Sequence, residues 1–278
     1  MLPGESIDLK KLRLTHIILS EAVARHSLAI LGDEIYVPHE RNQEVEIYDA
    51  GSFILQRRLM IPGLGSQCFG LVACIHNNCL YASDCNNHVI HRVDLSGSNA
   101  VVKWFVGRDP AGLSVNKAHN VVVMCCKANK LQEYTTCGSL VRQINLQQAV
   151  LFKPWHAVQL STGDYAVSQD TSPGVVSVVG LDGQVVCSYD QASDLGPVDY
   201  PGSLVVTKND EVIVADDDNC RILSLSSSLS SGQVLAMPVD IRIEYPCGLC
   251  FDEPRGRLYV SEHNGSRVFV FESMVTKC

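Results

Sequence analysis

Short apolar runs, rich in β-branched residues and broken by turn residues, recur along nearly the whole chain. Ser27-Leu28-Ala29-Ile30 leads to Glu34-Ile35-Tyr36-Val37 and then to Val45-Glu46-Ile47-Tyr48. The same three-part pattern restarts at Gly70-Leu71-Val72, Gly112-Leu113-Ser114-Val115, His156-Ala157-Val158, Ser203-Leu204-Val205 and Gly248-Leu249-Cys250. The starts at 27, 70, 112, 156, 203 and 248 are separated by 43, 42, 44, 47 and 45 residues. No segment carries the 3.6-residue apolar period of an amphipathic helix, so the units read as strands. Six strand-only units at this spacing predict an all-β chain, a six-bladed β-propeller with four antiparallel strands per blade.

The pattern also predicts how the ring closes. A fourth strand follows most units, at Phe53-Ile54-Leu55, Val101-Val102-Lys103-Trp104, Val141-Arg142-Gln143-Ile144 and Val185-Val186-Cys187. The last unit ends near Phe271 without one, whereas the first is preceded by Leu12-Arg13-Leu14-Thr15-His16-Ile17-Ile18. That leading strand is expected to become the outer edge of the sixth blade. The expected organisation is an N-terminal tail at 1–11, a single propeller at 12–272 and a C-terminal tail at 273–278.

Composition narrows the setting. Of 278 residues, 46% are hydrophobic and 19% charged, which suits a soluble globular domain large enough to fold without disulfides or metal. The formal charge of −8 opposes approach to nucleic-acid phosphates. Met1 is followed by Leu-Pro-Gly-Glu-Ser-Ile-Asp-Leu-Lys-Lys, which has no apolar signal core, and no run of 18 apolar residues occurs. The expectation is a cytoplasmic, monomeric domain whose twelve cysteines are mostly buried, reduced thiols.

Within this frame, Pro246-Cys247-Gly248-Leu249 with Arg257-Leu258-Tyr259-Val260 resembles the NHL repeat. Val214-Ala215-Asp216 with Asn219-Cys220-Arg221-Ile222, and Leu80-Tyr81-Ala82-Ser83-Asp84 with Asn86-Asn87-His88-Val89-Ile90, resemble it too. The third and fourth units depart at Met124-Cys125-Cys126 and Ser168-Gln169-Asp170. The likeness spans about residues 12–272 and is similar to the NHL domain of tripartite-motif proteins. It implies a domain that binds RNA hairpins or protein partners at one end of the ring. Asp84, Asp216, Asn219 and Asn264 read first as turn residues.

Several chemistries compete for that end. The lyase of peptide amidation, also a six-bladed propeller, is similar in strand pattern and holds zinc with histidines just before the Gly-Leu of the first strands. Here that position holds His26, Phe69, Ala111, Trp155, Gly202 and Cys247, so one histidine matches, and adjoining blades one and six would offer a zinc pair of His26 and Cys247. Asp216-Asp217-Asp218 is the obvious carboxylate cluster for a lactonase-like ion, and is read instead as a solvated turn. Cys247 and Cys250 have no second pair, Asn264-Gly265-Ser266 reads as a tight turn, and no nucleophile elbow is present.

The expected function is therefore a non-catalytic scaffold, without cofactor or metal, that binds a macromolecule through the channel-end loops. A protein partner is expected, anchored on Phe69, Trp155, His156, Tyr200 and Tyr245, because aromatic residues dominate interface energetics. An RNA-binding domain is the alternative, through Arg108, Lys127, Lys130 and Lys153 with Trp155 for stacking, and net charge disfavours it. A metal-dependent lyase or lactonase-like hydrolase is the other alternative, and no membrane association is expected.

Overall fold

A computed structural model of the chain describes residues 7–20, 27–39, 43–147, 150–189, 194–235, 242–263 and 265–275. The opening strand β1 (Ile7–Leu19) is followed by the first blade, β2 (Ala29–Leu31), β3 (Glu34–Pro38), β4 (Glu44–Asp49) and β5 (Leu55–Met60). The second holds β6 (Leu71–Cys74), β7 (Cys79–Asp84), β8 (Val89–Asp94) and β9 (Val101–Phe105), the third β10 (Pro110–Val115), β11 (Val121–Cys125), β12 (Lys130–Tyr134) and β13 (Leu140–Asn145). The fourth holds β14 (Pro154–Gln159), β15 (Tyr165–Gln169), β16 (Val175–Val179) and β17 (Val185–Ser188). The fifth holds β18 (Pro201–Val206), β19 (Val212–Asp216), β20 (Arg221–Leu225) and β21 (Gly232–Val234). The sixth holds β22 (Pro246–Asp252), β23 (Arg257–Glu262) and β24 (Arg267–Val275), with β1 as its outer edge. The six-bladed propeller expected from the spacing is the fold.

Closure is antiparallel, with Leu14 opposite Phe271 and Ile18 opposite Val268. β1 begins at Ile7 rather than at residue 12, and bulges after Asp8 and Leu14 absorb its extra residues. At the seam, Ile18, Val268 and Val270 bury against Leu28, Ile35 and Val37 of the first blade. Each of the other blade-to-blade contacts carries its own apolar cluster. Second strands are buried throughout, as in β7 and β11, because both faces meet neighbouring blades, while outer strands such as β5 and β13 are largely exposed.

Two local expectations change. The first blade's outer strand starts at Leu55, not at Phe53. The Asp49 carboxylate accepts the N–H groups of Gly51 and Ser52, which locks a turn in which Phe53 takes a positive φ of 59°. The inner strands run so close to their neighbours that a Cβ on Gly70 would lie 2.6 Å from the Ala111 carbonyl oxygen. One on Gly112 would lie 2.8 Å from that of Trp155. Glycine is required at both by close approach rather than by torsion.

Candidate functional site at the channel mouth

The loops that connect blades and the hairpins between second and third strands meet at one end of the channel. A repeated clamp holds them. The last residue of the second strand turns its side chain back to accept a backbone N–H from the incoming loop. Asp84 takes Gly65 at 2.8 Å, Gln169 takes Phe152 at 2.8 Å, Asp216 takes Asp199 at 2.7 Å and Glu262 takes Glu244 at 2.7 Å. In the third blade Cys125 occupies that place, and Gln132 of β12 substitutes, accepting the Gly107 N–H at 2.9 Å. The two units that depart from the repeat pattern thus keep the clamp with glutamines. Asp84 and Asp216 also bind Asn87 and Asn219 of their own hairpins, as turn residues should. Burial raises the Asp84 carboxyl, yet the bonds from Asn87 and Gly65 outweigh it and hold the group below its usual range.

Phe69, just ahead of β6, and Trp155, the second residue of β14, both face the channel. Phe69 and Trp155 meet there, ring centroids 5.2 Å apart and planes tilted by 59°. The residue between them in the ring is Ala111, small enough to leave the space they share. Both line the channel itself, a cavity of about 330 Å³ walled by the inner strands of all six blades. Trp155 also borders a second cavity of about 390 Å³ between the third and fourth blades, whose other walls are Cys126, Lys127, Asn129, Phe152, Lys153 and Asp170.

The expected anchors do not form one patch. His156 is buried, not an interface residue. The Leu204 N–H donates to its Nδ1 at 3.1 Å, so the ring proton sits on Nε2 and is donated to the Leu113 carbonyl at 2.9 Å. The imidazole ties the third, fourth and fifth blades together, and burial lowers its pKa to about 4. Tyr200 and Tyr245 are exposed, but they stand on the rim of the fifth and sixth blades, each at positive φ just before a strand-opening proline. Among the described residues no ring contact joins them to Phe69 or Trp155.

Of the four candidate cations, Lys127 and Lys153 line the second cavity, while Arg108 and Lys130 do not. Lys127 donates to Asp109 at 3.1 Å, which raises the ammonium pKa. Sequence reading passed over Phe152 and the cavity it walls. An aromatic residue just before Lys153-Pro154, in a connecting loop, was the available signal, and Phe152 is 56% exposed.

The aspartate run splits three ways. Asp216 is fully buried and pairs with Arg221 at 2.6 Å. Asp217 is buried and its Oδ2 lies 3.0 Å from His263 Nδ1, and Asp218 is exposed. It is therefore not a solvated turn as a whole. Among the described residues no three His, Cys, Asp or Glu side chains are placed to hold one metal ion. His26, and with it the zinc pair, lies outside the described residues, as do Arg25, Glu40, Arg41 and Asn264. Cys247 is buried against Ser261, and burial pushes the Cys250 thiol up to about 12. Of the eleven described cysteines, Cys68, Cys74, Cys79, Cys125 and Cys247 are buried and Cys137 is exposed. No helix of the described residues is long and apolar enough to cross a membrane.

Among solved structures, the chain is similar to a streptogramin B lyase (11% identity, TM-score 0.67, covering 97% of this chain and all of the other). It is similar also to virginiamycin B lyase from Staphylococcus aureus (9%, 0.68, covering 95% and 100%). Hydrazine synthase of Kuenenia stuttgartiensis matches over 88% of this chain and 75% of its own, at 16% identity and a TM-score of 0.63. At these identities the likeness establishes the propeller fold alone. No protein-family model matches the chain, and no curated protein matches it.

Proposed function

We propose that the chain is a non-catalytic interaction module of the NHL kind that holds a protein partner at the channel mouth. The observation that carries this reading is the Phe69–Trp155 pair. Two large rings stand at the channel, Trp155 on β14 and Phe69 just ahead of β6, beside a cavity walled in part by the exposed Phe152. Rigid aromatic groups lose little side-chain entropy on binding and bring large apolar area, which is what protein interfaces select. The clamps from Asp84, Gln132 and Gln169 fix the three loops around the pair, so the surface is pre-organised.

The test is affinity capture with the intact chain and with Phe69→Ala/Trp155→Ala, followed by mass spectrometry and circular dichroism. The expected result is loss of specific partners from a variant that still melts cooperatively. A folded variant that keeps every partner would remove the site.

A further inference from the structure

The walls of the second cavity combine three chemistries. Phe152 and Trp155 supply an aromatic surface, Lys127 and Lys153 supply ammonium groups, and Asp170 supplies a carboxylate. Its volume of about 390 Å³ is at the small end for a ligand site, room for one large residue rather than a strand of nucleotides.

The charges within reach are nearly balanced. Lys127, whose side chain is 76% exposed, is held by Asp109 at 3.1 Å. Lys153 makes no ion pair among the described residues, and its ammonium lies 5.9 Å from the Phe152 ring centre. Asp170, whose backbone N–H donates to the Lys153 carbonyl at 3.0 Å, supplies the acceptor on the same wall. A polyanion gains little from such a balance, because phosphate binding needs cations without carboxylates beside them. A group that carries an anion and an N–H donor on one apolar residue matches all three walls at once.

We propose that this cavity takes the C-terminal residue of a partner polypeptide. An aromatic or large aliphatic side chain lies against Phe152 and Trp155. Its terminal carboxylate meets Lys153 and Lys127, and its amide N–H points to Asp170. This rests on the reading of the mouth as a partner-binding face, and adds to it the chemistry of the segment that enters.

The minimal probes are N-acetyl-phenylalanine, N-acetyl-phenylalaninamide and a short oligoribonucleotide, titrated into the ¹⁵N-labelled intact chain. The carboxylate probe is expected to shift the Trp155 indole signal saturably, with a Kd on the order of 1 mM. The amide is expected to bind at least about tenfold more weakly, since a charge-assisted bond is lost. Lys153→Met should erase that difference while Trp155 keeps its free-state signal.

Equal binding of acid and amide overturns the proposal. So does the absence of a saturable shift, or displacement of the acid by the oligoribonucleotide at lower concentration. The two readings fail separately. If Phe69→Ala/Trp155→Ala loses its partners but Lys153→Met and Asp170→Asn keep them, the mouth stands and the carboxylate pocket falls. If Phe69→Ala/Trp155→Ala keeps its partners, the mouth itself falls.

Discussion

The two sides of the channel mouth use the same repeat frame to place aromatic groups in different surroundings. In the second and fourth blades the ring, Phe69 or Trp155, stands just before Gly70 or His156 and lines the channel. In the fifth and sixth blades those places hold Gly202 and Cys247, and the aromatic group comes two residues earlier as Tyr200 or Tyr245. There it precedes a proline at positive φ and stands out on the rim, 38% or 49% exposed. A shift of two positions in sequence therefore separates a paired, half-buried ring from an isolated, solvated one. The clamps differ in step. On the aromatic-pair side the Asp84 carboxylate holds the loop before Phe69, and the neutral amides of Gln132 and Gln169 hold the next two loops. The rim side uses the carboxylates of Asp216 and Glu262, each bound to an arginine.

Both sides depend on a closed ring, and opening it is expected to have the largest effect. Deleting residues 1–19 strips the outer strand from the sixth blade and exposes Val268, Val270 and Phe271. Most of the roughly 5–15 kcal/mol that stabilises such a domain should be lost, seen as a broadened or absent melting transition. An unchanged, cooperative melt would mean that β1 is dispensable and that neither side of the mouth needs the seam.

The next effect separates the clamps. Asp216→Ala leaves Arg221, four-fifths buried, without its carboxylate, at a cost of about 3–5 kcal/mol. Gln169→Ala removes neutral hydrogen bonds to Phe152 and Val150 and should cost about 1–2 kcal/mol. Urea unfolding of the two variants measures the gap. Equal losses would erase the distinction between an arginine-paired carboxylate clamp and a neutral one.

The ring was legible in the sequence because its signal is additive: six similar units, each weak alone, fix the period, the strand order and the closing strand. The Asp84 and Asp216 turns were legible for the same reason, as short polar residues between two apolar runs. What failed were properties set by the neighbouring blade. His156 looks like a mouth residue beside Trp155, but alternation along β14 turns it into the wall, where Leu113 and Leu204 take both nitrogens. The clamp of the third blade moved from the second strand to Gln132 on the third, which no pattern of single strands reveals. Phe53 reads as a strand residue until the Asp49 carboxylate claims the turn ahead of it.

His156 also joins the two sides, since its ring bridges blades three and five. In the folded chain its pKa is about 4, against about 6.5 when unfolded, so the unfolded state takes up the proton first as pH falls. Stability from this group is complete above about pH 6.5 and declines down to about pH 4, a loss of about 3 kcal/mol at 1.36 kcal/mol per unit. His156→Gln should start less stable at pH 7 and show a shallower dependence between those limits, by about one proton in denaturation at fixed pH steps. An unaltered slope would place the titrating group elsewhere and uncouple the blades.

The smallest expected difference tests the comparison most directly, because it concerns binding with the frame intact. Phe69 and Trp155 bury part of each ring against the other, so a partner closing over them completes their desolvation. Truncating such a centre costs about 2 kcal/mol or more in partner affinity, roughly thirtyfold. Among the described residues Tyr200 and Tyr245 have no such neighbour, and they stand exposed at the rim, where truncation costs well under about 1 kcal/mol. Titration calorimetry of Phe69→Ala/Trp155→Ala and Tyr200→Ala/Tyr245→Ala against a captured partner should show the first pair losing far more. A larger loss from the tyrosines would move the binding centre to the fifth and sixth blades, beside the Asp217–His263 pair, and reverse the roles assigned to the two sides of the mouth.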